Sequence, residues 1–131
     1  MKTNLLKYLL LTFITLLVGC QKDNETASDL IIGKWDWKKS VSPWTGQVSN
    51  PQTVMFTITL EFTGDGIMNE YKNDTLSNTT NYSIESNPTK STSNILIHNS
   101  DIRSYFDIVN DSLIINAAYV DGPVSYYIRI K

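Results

Sequence analysis

The sequence predicts an all-β fold, an eight-stranded antiparallel up-and-down barrel, on three observations. Apolar and polar residues alternate with a period of two, the runs are short and separated by turn formers, and no ten-residue stretch carries a helical stripe. A meander of short strands removes its exposed edges by closing on itself. A two-sheet sandwich carries the same alternation and stands as the alternative.

The strands follow in order. Lys34 to Val41 is the first. Val54 to Phe62 is the clearest, with Val54, Phe56, Ile58, Leu60 and Phe62 on one face and Met55, Thr57, Thr59 and Glu61 on the other. Thr63 to Gly66, "TGDG", offers glycines that tolerate positive φ and so predicts a tight hairpin into Ile67 to Lys72. Thr79 to Glu85, Asn94 to His98, Ile102 to Val109, Ser112 to Tyr119 and Val124 to Ile130 complete the set, separated by "SNPTKSTS", "NSD", "ND" and "DGP". An eight-stranded barrel is just wide enough to be filled by side chains or to hold one small ligand.

Ahead of this domain stands a different kind of sequence. "MKTNLLK" carries only Lys2 and Lys7 as charges, and Tyr8 to Gly19 is uncharged and mostly apolar. A basic start followed by a short greasy run is the grammar of an export signal. Its twelve positions cover about 18 Å as a helix, short of the ~30 Å hydrocarbon layer, which predicts a cleaved signal over 1–19 and no spanning anchor.

The run ends in Leu17-Val18-Gly19-Cys20, which resembles the lipobox of bacterial lipoproteins. The resemblance implies a diacylglycerol on the Cys20 thiol, cleavage before it, and an acyl chain such as palmitate on the new amine. One chain binds a bilayer marginally, at about 0.8 kcal/mol per buried CH₂, and two or three hold it durably. Gln21-Lys22-Asp23-Asn24-Glu25 is similar to the export signal of Bacteroidota-type lipoproteins, with Lys22, Asp23 and Glu25 the matching charges. That resemblance implies an outer-membrane lipoprotein exposed at the cell surface. Residues 20–29 then form the lipidated cysteine and a flexible tether, and residues 30–131 the barrel.

With its only cysteine committed to lipid, the domain has no intrachain disulfide and must be stabilised by packing. The net charge of −2 becomes −4 without Lys2 and Lys7, which argues against nucleic acid as a partner.

Gly33-Lys34-Trp35 resembles the G-x-W of lipocalins and of lipocalin-like domains in bacterial lipoproteins. "TLEFTGDG" and the ending "LIINAAYVDGPVSYYIRI" are similar to hairpins of the same domains. The resemblance implies a barrel closed at one end by Trp35, with Arg129 on the last strand over its ring, where a cation is worth about 0.5–2 kcal/mol. It also implies a small apolar or amphipathic ligand inside.

Functional groups are sparse. His98, the only histidine, has no cysteine partner and is expected as a surface or strand-end residue. Glu61 and Glu70 are candidates to meet across their hairpin, with Glu61 on the polar face and so solvated. No zinc spacing, EF-hand loop, phosphate-binding glycine loop or nicotinamide fingerprint occurs. A non-enzyme without metal or cofactor is therefore expected. The aromatics Trp37, Phe56 and Phe106 are in phase with the apolar face, as core or ligand contacts, whereas Pro43 and Gly46 place Trp44 in a loop able to meet a ligand, a protein or a glycan. Asp74-Thr75-Leu76 and Asp111-Ser112-Leu113 resemble the O-glycosylation sequence of Bacteroidota-type exported proteins, at Thr75 and Ser112; the first is expected in a polar loop.

Overall fold

The computed structural model describes residues 26–86, 94–99 and 102–131. Segment 1–25, with the expected signal peptide, Cys20, Lys22, Asp23 and Glu25, lies outside the described residues.

The chain opens with a one-turn helix α1 (Ala27–Ile31), then β1 (Gly33–Val41), β2 (Val48–Ser49), a second short helix α2 (Pro51–Val54), β3 (Ile58–Phe62), β4 (Ile67–Lys72) and β5 (Thr75–Ser86). It continues with β6 (Asn94–His98), β7 (Ile102–Val109), β8 (Ser112–Asn116), a 3₁₀ turn (Ala118–Val120) and β9 (Val124–Arg129). Each of the strands β3 to β9 pairs antiparallel with its predecessor in the sheet, and β9 returns to β1, so the sheet closes. The fold is thus a closed eight-stranded antiparallel barrel of the lipocalin-like kind, not a sandwich; β2 is a two-residue addition to the rim of β1.

Several boundaries differ from the sequence reading. Val54–Thr57 is not strand: Asn50 caps α2, its side chain accepting from the Thr53 N–H at 2.9 Å while Thr53 bonds back to the Asn50 N–H, with Pro51 at the first position. Met55 then turns left-handed at φ 62° and ends it. Local capping chemistry outcompetes an alternation that only starts to pair at Ile58. Asn73 and Asp74, both at positive φ, make a two-residue hairpin, so β5 starts at Thr75. Asn and Asp tolerate that conformation, and the glycosylation candidate Thr75 is therefore strand, not loop. β8 stops at Asn116, whose side chain accepts from the Ala118 N–H and starts the 3₁₀ turn.

α1 straddles the expected boundary, its first three residues falling in the segment 20–29 expected as tether. Thr26 and Asp29 form a capping box, and Ile31 is wholly buried in the core. The inward row contains Trp35, Trp37, Leu60, Phe62, Met68, Leu96, Phe106, Leu113 and Tyr127. Phe62 and Tyr82 meet edge to face at 5.1 Å, and Trp37 stacks on Phe56 at 6.3 Å. Two bulges adjust the alternation. One falls between Trp37 and Lys39 on β1, the other on β5 opposite Glu70 and Tyr71.

Candidate functional site

The two ends of the barrel are built differently. At one end the turn 63–66, the β7–β8 turn and the last residue of β9 meet the start of β1. Here the Trp35 indole N–H donates to the Ile31 carbonyl at 2.7 Å, tying α1 across the opening. The Arg129 guanidinium sits over the Trp35 ring, 4.1 Å from its centroid, and donates to the carbonyls of Ile32 at 2.8 Å and of Leu30. Gly33 has φ +130°, and a Cβ there would stand 2.8 Å from Arg129 Nη1. So Gly33, Trp35 and Arg129 are one assembly: glycine leaves the space, tryptophan fills the end, and arginine clasps α1. On the other side Gly64 of the β3–β4 turn faces the Ile32 side chain. This end is shut.

The opposite end carries the 42–57 loop, the Asn73–Asp74 turn, the end of β6 at His98 and the 117–123 loop. Below it a cavity of about 170 Å³ enters the barrel, with Leu60, Met68, Leu96, Ile115 and Tyr127 as its apolar wall. Its polar lining is Glu70, His98, Ser104 and Ser125. Register explains why these point inward: Glu70 stands opposite inward Leu60, Ser104 opposite Leu96, and His98 opposite half-buried Tyr82. Glu61 is the neighbour of Leu60 and therefore faces outward, so the two glutamates do not meet. Glu61 takes the Tyr71 hydroxyl at 2.7 Å and pairs with Lys34 at 3.4 Å on the outer wall. The Tyr71 bond above all holds its carboxyl below the usual range, and raises the Tyr71 phenol in return.

His98 is the last residue of β6, a strand end as expected, but it is half-buried and not at the surface. It is two residues from buried Leu96 and shares its face, so the ring turns into the lumen. Burial pushes its pKa down, and its Nδ1 is buried without a hydrogen-bond partner among the described residues. Glu70 accepts from the Ser77 hydroxyl at 3.1 Å, Ser77 being the extra residue of the β4–β5 bulge. Toward the mouth Trp37 Nε1 donates to Ser40, whose hydroxyl meets that of Ser125 at 2.7 Å. The Tyr127 phenol is pushed up to about 12, chiefly by burial, with a smaller rise from the Glu70 charge.

The four aromatics named as candidate contacts do not line this cavity. Trp37 and Phe106 are buried in the packed layer, and Phe56 lies against Trp37 with the Lys72 ammonium 4.0 Å from its ring centroid. Trp44 is 75% exposed in the 42–47 turn, which is closed by bonds from Gly46 N–H to Ser42 and from Ser42 N–H to Gln47. Met55 is more exposed still, at 85%. Of the two glycosylation candidates, Thr75 is exposed, while Ser112 is half-buried beside Leu113, which is wholly buried. A wider depression of about 320 Å³ lies on the outer wall between Lys34, Thr59, Tyr71, Asp74 and Ile130, none of them buried.

Chemically, the lumen can solvate a polar group against Glu70 and His98 while its apolar walls cover the rest of a small molecule. No hydrogen bond links His98 to Ser104 or Glu70, and no group of three or more His, Cys, Asp or Glu gathers as a metal site among the described residues. Sequence reasoning missed Glu70, His98, Ser104 and Ser125 as lumen residues. The available signal was phase: each is a polar residue falling in step with an apolar face. Comparison with models of protein families, with curated proteins and with solved structures finds no match to this chain.

Proposed function

We propose that this protein is a non-catalytic lipoprotein, anchored in the outer membrane through lipid on Cys20 and exposed at the cell surface, that holds a small apolar or amphipathic ligand in its barrel. The observation that carries the ligand reading is the cavity of about 170 Å³ at the open end, with its apolar wall and convergent polar groups. An interior packed solid from end to end would have opposed it.

The anchor reading agrees with the placement of α1. Thr26 is six residues after Cys20, a reach of at most about 20 Å of extended chain. α1 is tied to the shut end, so an anchor on Cys20 holds that end toward its own bilayer and turns the mouth away. Ligand then enters from the medium.

The test is native mass spectrometry of the protein purified from its own membranes, beside the same chain with Cys20 replaced and made in a foreign cytosol. A non-covalent mass on the native sample beyond the lipid on Cys20 is expected. A native sample carrying only the acyl mass would leave a second reading, in which exposed Trp44 and Met55 at the mouth grip a protein or glycan partner. For that reading, Trp44→Ala should weaken partner capture from cell envelopes.

A further inference from the structure

We infer that the lumen cavity selects a small organic cation: a protonated amine on an apolar body about the size of one aromatic ring, with the ammonium facing Glu70 in a lining that also carries His98. The inference rests on the ligand-binding reading above and narrows its chemical class.

Size sets the body. A cavity of about 170 Å³ is close to the ~150 Å³ that accommodates a benzene molecule in a protein interior. It is below the ~300–1,000 Å³ of sites for larger ligands. A long acyl chain does not fit inside.

Charge sets the head group. Among the described residues of the cavity lining Glu70 is the only acidic one, and none is Lys or Arg. Among the described residues Glu70 accepts the Ser77 hydroxyl and forms no ion pair. Glu70 lines a lumen walled by Leu60, Met68, Leu96 and Ile115 and puts a negative charge at its mouth, where it meets the exposed Ser77 hydroxyl. A cation entering the lumen gains from it, and an anion is repelled.

His98 supports the same choice. Burial favours its uncharged ring, so it adds no competing positive charge at neutral pH, and its buried Nδ1 lacks a partner. A neutral imidazole offers one acceptor nitrogen, and an ammonium has three hydrogens to share.

The experiment uses the full-length acylated protein in nanodiscs with three probes of similar size: 2-phenylethylamine, 3-phenyl-1-propanol and 3-phenylpropionate. Binding is followed by calorimetry and by methyl NMR shifts of Met68 and Leu96, which report occupancy of the lumen. The amine should bind at least about tenfold tighter than the alcohol, as one charge-assisted hydrogen bond contributes, and the acid weakest. Glu70→Gln should abolish the preference for the amine over the alcohol. Glu70→Asp, which keeps the charge, serves if the glutamine variant does not fold, and should retain the order. Equal or tighter binding of the alcohol or the acid at the lumen methyls would overturn the cation assignment while leaving a ligand-binding barrel. Binding of none of the three would also overturn it, and, combined with no cargo on the native protein, would remove the ligand reading as well.

Discussion

Arg129→Ala should be among the most destabilising exposed-end substitutions in this protein, because one side chain makes three separable contacts at the shut end. Its guanidinium lies 4.1 Å from the Trp35 ring centroid, a half-buried cation–π contact worth about 1 kcal/mol. It also donates to the Ile32 and Leu30 carbonyls, fastening α1 over the barrel. Hydrogen bonds from a charged donor contribute about 1.5 kcal/mol each at the low end of their range, and water replaces part of that here because the end is not fully buried. The expected loss is therefore about 2–3 kcal/mol. For a domain of this size that lowers the melting temperature by roughly 10–20 °C. The assay is urea unfolding followed by tryptophan fluorescence, with Trp35→Leu and the double variant closing the cycle. Coupling of about 1 kcal/mol between the two positions is expected. A loss under about 0.5 kcal/mol, or additive single variants, would refute the account of this end as a clasp.

Three further outcomes follow from the same structure. Gly33→Ala should cost about 1–3 kcal/mol, since φ is +130° and the new Cβ meets Arg129 Nη1 at 2.8 Å; in the Arg129→Ala background the collision disappears and only the backbone strain remains. His98 has its pKa lowered by burial, so the unfolded chain takes up a proton first as pH falls below about 6.5; stability should decline there and His98→Asn should flatten the decline in a pH series of urea midpoints. Tyr127 is raised to about 12 against about 10 unfolded, so the native phenol keeps a proton that the unfolded chain loses. Its contribution is intact below pH 10 and lost between pH 10 and 12, at about 2–3 kcal/mol, and Tyr127→Phe should remove that part of the alkaline decline.

Much of the barrel is legible in the alternation of apolar residues, because a period of two assigns each residue a face whatever the strand's partner. Trp35, Leu60, Phe62, Leu96, Phe106 and Leu113 are on the inward row for that reason. Where local chemistry competes with alternation, the outcome depends on it: the Asn50–Thr53 capping box takes Val54 from the strand, and the Asn73–Asp74 hairpin adds Thr75–Asn78 to one.

Closure itself was decided by tertiary pairing. Alternation is identical in a barrel and a sandwich, and only the hydrogen-bonded register of Trp35 with Arg129 and Val41 with Val124 joins first strand to last. The same register brought Glu70, His98, Ser104 and Ser125, from four strands, to one lumen. Each is an unremarkable polar residue in its own strand. Faces along a chain are set by local backbone geometry, but the meeting of side chains from distant strands is set by shear and closure, which exist only once the sheet has formed.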